Sequence, residues 1–181
     1  MNRCGRRLLL RRARDERGFG LIELLAAMTV LAIGILALFA MFESGIRHLT
    51  RASTITTAGA LADREMENYR AIKYANIGLP ESLVAPLASD AVYSGDTAWQ
   101  SNSLNRVGLV ACGTSPCTNE VPVQTLTGAD GQSYLVHTYA TWQTVGAGRA
   151  VKLVTIVVRD ADNPSKVWAR TSSAFDRSTG E

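Results

Sequence analysis

Nineteen consecutive residues, from Leu24 to Phe42, carry neither a charge nor a proline. That run limits the folds open to this 181-residue chain more than any other feature. As an α-helix it is about 28 Å long, close to the ~30 Å hydrocarbon core of a bilayer. A soluble domain would have to enclose such a helix on every side, and a chain of this size has little material for that. The segment is read as a membrane span.

The residues before it set the orientation. Seven arginines (Arg3, Arg6, Arg7, Arg11, Arg12, Arg14, Arg17) stand against Asp15 and Glu16 in residues 1–18. Arginine-rich flanks stay cytoplasmic, so the C-terminal part is expected to be exported. The whole chain carries +3 and the leader alone +5, which leaves −2 for the rest. The basic character is therefore local, and no nucleic-acid partner is expected. The apolar run is longer than a secretory signal core, and AMFESGIRHL after it is a poor small-residue cleavage site.

One residue resists a simple membrane reading. Glu23 lies at the start of the span, four positions after Phe19, and the basic segment ends in Gly18 directly before that phenylalanine. GFGLIELLAAMTVLAIGILAL resembles the prepilin signature of type IV pilins and type II secretion pseudopilins. The resemblance implies that a prepilin peptidase cuts between Gly18 and Phe19 on the cytoplasmic side and methylates the new N-terminus, Phe19. Glu23 then becomes the fifth mature residue. An ionised group at mid-bilayer costs about 2.5–3.5 kcal/mol on insertion scales. Near a helix start that cost falls, and the helix dipole favours an anion. The resemblance also supplies a partner: the Phe19 amine of an adjacent subunit, so that a misplaced subunit leaves a carboxylate unpaired.

The helix is expected to continue past the membrane, because no proline occurs before Pro80. At 100° per residue Ala58, Leu61, Ala62, Met66, Tyr69 and Ile72 share one face, with Asp63, Arg64, Glu67 and Arg70 opposite. Asn76 and Gly78 suit a helix end. The apolar face needs a partner, and a sheet is legible near the C-terminus. QSYLVHTYATWQTV, RAVKLVTIVVRDAD and SKVWARTSSAF are rich in β-branched and aromatic residues and are separated by turn formers. Such short connections favour an antiparallel meander. The middle segment, largely apolar at odd and even positions alike, suits a central strand covered on one side by the helix. Residues 79–131 read as loops with short elements, with strands around Val107–Cys112 and Val121–Leu126. The expected class is α+β: a long N-terminal helix, membrane-spanning in its first half, packed on a C-terminal antiparallel sheet.

Cys4 falls in the leader. Cys112 and Cys117, in a segment expected to face an oxidising compartment, are read as a disulfide, with a zinc half-site as the rival. A structural zinc needs four ligands, and His137 and His48 offer little help. No cofactor is expected, and no enzyme: G-x-S-x-G, a phosphate-binding glycine loop and H-E-x-x-H are all missing. Some secretion pseudopilins bind calcium, and Asp160, Asp162 and Asn163 superficially suit it, but EF-hand spacing is missing and a turn is the expected reading. Tyr139, Trp142 and Trp168 are read as core.

ALADREMENYRAIKYANIG, with Met66-Glu67, Arg70 and Tyr74, is similar to the same stretch of PilV-type minor pilins and I-type minor pseudopilins, as is the C-terminal sheet sequence. Gly20 replaces a hydroxyl residue common at that position, and the helix lacks the proline that often kinks major pilins. The resulting plan is a cleaved leader (1–18), a membrane and filament-core helix (19–42), its amphipathic continuation (43–76) and an exported β-rich domain (77–181). The implied role is a minor pilin in pilus assembly or priming, with prepilin peptidase, other pilin or pseudopilin subunits and the inner membrane as partners. A minor pseudopilin, or an uncleaved single-span surface receptor or adhesin, stays open.

Overall fold

A computed structural model describes residues 20–109, 121–146 and 148–177. The chain divides into two units, one ending at Arg47 and one beginning at His48. Helix α1, Leu21–Ala71, supplies the described part of the first unit and opens the second.

In the first unit every described residue is exposed. The apolar side chains lie all around the helix: Leu21 is 80% exposed and Phe42 70%. Mean hydropathy over its best 18-residue window is 2.6, so length and composition both allow a membrane crossing. The hydroxyl of Thr29 donates to the Ala26 carbonyl at 2.8 Å and so needs no partner outside its own helix. Past the apolar run, Arg47 pairs with Glu43 one turn earlier.

The second unit is built on the amphipathic half of α1. Ala58, Leu61, Ala62, Met66 and Tyr69 are buried, with Ile72 partly so, while Asp63, Arg64, Glu67 and Arg70 face outward. This is the face expected from the period, with one addition: Glu65 is buried too, at 5% exposure. Its carboxylate is satisfied by Arg64, by the Asn68 amide and, at 2.9 Å, by the Gln124 amide. The helix ends at Ala71, short of Asn76, and a 3₁₀ turn at Tyr74–Asn76 follows. Lys152 holds that turn in place. Its buried ammonium donates to the carbonyls of Tyr74 (2.8 Å) and Ile77 (2.7 Å) and lies over the Tyr74 ring, binding the turn to the sheet.

That sheet has four strands in the order β3 (Val123–Thr127), β4 (Ser133–Val145), β5 (Arg149–Asp160) and β6 (Val167–Phe175), each antiparallel to its neighbour. One face receives α1: Tyr134 and Val136 of β4 and Val154, Ile156 and Val158 of β5 join the helix residues in one core. Each such fully buried side chain contributes about 1.5–3 kcal/mol. Fully buried Ala58 and Ala62 let the helix lie close to the strands. Gly128 marks another close approach: a Cβ there would sit 2.6 Å from Thr57 Cγ2 and 2.7 Å from Tyr134 Cε2. The β4–β5 turn uses Gly146 at φ 58°, a conformation other residues resist.

The opposite face differs from expectation. Val157 is fully buried and Thr155 and Arg159 nearly so, because the segment after the helix folds back over this side. That segment has a two-residue strand β1 (Leu79–Pro80), single-turn helices α2 (Glu81–Val84) and α3 (Ala91–Ser94), and a two-residue strand β2 (Gly108–Leu109) pairing in parallel with β1. The strand expected at Val107–Cys112 is thus reduced to Gly108–Leu109 among the described residues; Cys112 lies outside them. Arg106 and Val107 also cover part of the edge of β4. Arg106 bridges to Thr141, and the Val107 N–H donates to the Ala140 carbonyl at 2.9 Å.

Candidate functional site

Two places carry chemistry that packing alone does not require. The first is the start of α1. Glu23 stands in the first helical turn, where the Gly20 carbonyl accepts the N–H groups of Glu23 (2.9 Å) and Leu24 (3.2 Å). The carboxylate therefore sits at the positive end of the helix dipole, and it heads an apolar surface with no partner inside its own unit among the described residues. Gly18 and Phe19 lie outside the described residues, as do Cys4, Cys112 and Cys117.

The second place is the cluster under the folded-back segment. Asp90 caps α3 by accepting the N–H groups of Val92 (2.8 Å) and Tyr93 (3.0 Å). These bonds, the Tyr93 one foremost, hold its carboxyl below the usual range. The cap aims Tyr93 into the sheet face. Its ring stacks on Tyr139 at 4.5 Å, its hydroxyl donates to the Thr138 carbonyl at 2.6 Å, and the Tyr139 hydroxyl donates to the Tyr93 carbonyl at 3.0 Å. Burial raises both phenols well above their ordinary value. Trp99 meets Tyr93 edge-on, with ring centroids 5.5 Å apart. His137 is buried beside both tyrosines, and burial, helped by the Arg159 charge, pulls its imidazole down to about 4.

Asp96 is the anchor. Arg170 of β6 donates to both its oxygens, at 2.7 and 2.8 Å, and Arg159 of β5 also pairs with it. The Ala98 N–H donates to it at 2.9 Å. Burial alone would raise the Asp96 carboxyl; the Ala98 N–H, Arg170 and Arg159 outweigh it and hold the group below its ordinary value. A carboxylate so fully engaged has no basic site left for a substrate and acts as a tie between loop and sheet. Sequence reading missed this triad, since nothing local in "SGDTAW" announces a carboxylate aimed at arginines more than sixty positions away.

The other candidates resolve individually. Tyr139 is core, Trp168 packs partly against the helix-side core, and Trp142, expected inside, is 38% exposed beside Lys152. The reason is its place near the end of β4, past the reach of α1. Asp160 accepts the N–H groups of Asp162 and Asn163, forming the turn into β6. Among the described residues no three His, Cys, Asp or Glu side chains gather as a metal site.

Residues 13–39 match the family model of the prokaryotic N-terminal methylation motif. The matched stretch contains Gly18, Phe19 and Glu23 and most of the apolar run. It supports placement with the type IV pilins and pseudopilins, structural subunits that prepilin peptidase processes and that assemble with other pilin subunits. The apolar helix behind the motif supports a membrane-anchored subunit later incorporated in a filament. No curated protein and no solved structure matches the chain.

Proposed function

We propose that this chain is a minor type IV pilin of the PilV kind, cleaved between Gly18 and Phe19 and methylated on Phe19, which takes part in pilus assembly or priming at the membrane. The observation that carries the reading is the succession of motif and fold. A methylation motif at residues 13–39 leads into α1, whose second half packs on a four-stranded antiparallel sheet. The arginine-rich leader stays cytoplasmic and residues 77–181 are exported. Cys112 and Cys117 close a small loop there by a disulfide, a bond worth about 2 kcal/mol for so short a loop.

Glu23 has the central role in assembly. Its carboxylate pairs with the Phe19 amine of a neighbouring subunit, a contact worth far more in an apolar filament core than in water. The lack of proline in α1 and the similarity of ALADREMENYRAIKYANIG favour a minor over a major subunit.

The test combines processing with incorporation. The membrane-extracted protein should have the mass of a chain beginning at N-methyl-Phe19. Glu23→Val should be inserted and cleaved normally, since it makes the span more apolar and leaves the cut site intact. It should nevertheless be lost from sheared filaments. An intact leader on the extracted protein would overturn the reading, and wild-type incorporation of Glu23→Val would overturn the role given to its carboxylate.

A further inference from the structure

The sheet of the second unit has two outer edges, and the chain treats them differently from the edge within. Where β4 runs on beyond β3, its edge is occupied by Arg106 and Val107. Beyond β3 and β6 themselves no strand lies among the described residues. Strand edges are commonly defended by proline, lysine, bulges or shortness. β6, VWARTSSAF, has nine residues with no proline or lysine, and its one charge, Arg170, is drawn onto Asp96. The single bulge, at Val158/Arg159, affects only the Val167 end and leaves Ala169–Phe175 in regular pairing with β5. β3, VQTLT, is uncharged, and its Gln124 side chain is held by Glu65.

Strand polarity selects the occupant. With four antiparallel strands, β3 and β6 run in opposite directions. A second copy set alongside by translation brings its β3 antiparallel to the first copy's β6. Translation also keeps the sheet-packed halves of α1 parallel, as two chains anchored in one membrane require. Antiparallel pairing of β6 with β6 on one continuous face needs a two-fold axis normal to the sheet, which reverses the sheet-packed half of one α1 against the other. Parallel pairing about an axis along the strands puts the two helices on opposite faces.

Face parity narrows the register. Ser172 and Arg170 pair with Thr155 and Val157, on the face opposite α1. Val123 packs on that same face, so Thr125 and Thr127 share it. A continuous face therefore sets even-numbered residues of β6 against odd-numbered residues of β3. Placing Ser172 opposite Thr125 sets Arg170 by Thr127 and Ala174 by Val123, with no like charges in contact.

We propose that β6 of one copy is extended by β3 of a second copy of this chain, a lateral contact between subunits in the membrane. The proposal rests on the assembly reading above. Backbone hydrogen bonds supply the affinity in strand addition. Five residues of β3 form only a short ladder, but anchoring in a common membrane raises the effective concentration at which it operates.

The test uses two differently tagged full-length forms co-expressed in one membrane, one carrying Ser172→Cys and the other Thr125→Cys. After mild oxidation a reducible product bearing both tags is expected. It should be missing with the parent chain, with either variant alone, and when Ser173→Cys, on the α1 face, replaces Ser172→Cys. Failure of the two-tag product, a dominant Ser172→Cys self-product, or equal cross-linking through Ser173→Cys would each overturn the proposal. The N-terminal mass, read on the same membranes, separates the two hypotheses. Cleaved, incorporated protein without the cross-link defeats edge pairing alone; a cross-link between uncleaved chains defeats the prepilin reading alone.

Discussion

Asp96→Asn is the most informative single change in the sheet-containing unit of the chain. The carboxylate is buried between Arg170 and Arg159, and the Arg159 side chain is itself only 7% exposed. Replacing the acid by its amide preserves shape but leaves the Arg159 charge buried without a counter-ion. Breaking a buried pair from one side costs about 3–5 kcal/mol. The retained amide oxygen and the part-exposed Arg170 place this case near the lower figure. For a unit of this size each kcal/mol moves Tm by about 3–5 °C, so a fall of about 10–15 °C is expected. The assay is thermal unfolding of the detergent-solubilised full chain at neutral pH, followed by tryptophan fluorescence and far-ultraviolet circular dichroism. Trp99, edge-on to Tyr93, should report loosening of residues 85–107 before the sheet melts. Asp162→Asn, on an exposed turn, is the control. Replacing Asp96 and Arg159 together by apolar residues of similar volume should recover much of the loss, since the pair's worth lies mainly in its completeness. If Asp96→Asn melts within about 2 °C of the control, less than 1 kcal/mol on the same scale, the triad does not tie the loop to the sheet.

Three further predictions concern the same domain. His137 has its folded value pulled down to about 4 from 6.5, so the unfolded chain binds the proton first and stability should fall as pH drops through that window; the acid-side slope of Tm should flatten in His137→Gln, and an unchanged slope would show that His137 is not its source. The lowered Asp96 carboxyl acts in the same direction at still lower pH, its contribution present above the unfolded carboxylate range and lost as pH falls through its folded value. Gly128→Ala should cost about 1–3 kcal/mol, because the new Cβ meets Thr57 and Tyr134; a melt unchanged from wild type would mean that the β3–β4 turn yields freely. Cys112 and Cys117, if paired, should resist thiol labelling in native material prepared without reductant, and labelling of both would refute the bond.

Periodicity carried much of the architecture because the forces behind it are local. The apolar run to Phe42, the buried stripe at Ala58, Leu61, Ala62, Met66 and Tyr69, and the strands β4, β5 and β6 follow from spacing, side-chain type and turn residues, all of which act within a few positions. The Gly18, Phe19 and Glu23 pattern was legible for a similar reason: it is a continuous stretch, and residues 13–39 match the methylation motif as one. What folding alone decided depends on residues far apart in the chain. The burial of Glu65 depends on Gln124, the anchoring of the turn after α1 on Lys152, and the second covered face of β5 on Tyr93 and on Asp96 meeting Arg159 and Arg170. A carboxylate in a loop and an arginine in a strand look like ordinary surface charges until the fold removes water from between them. That removal makes the Asp96 triad a structural tie, and it is a property of the assembled sheet rather than of any segment of the sequence.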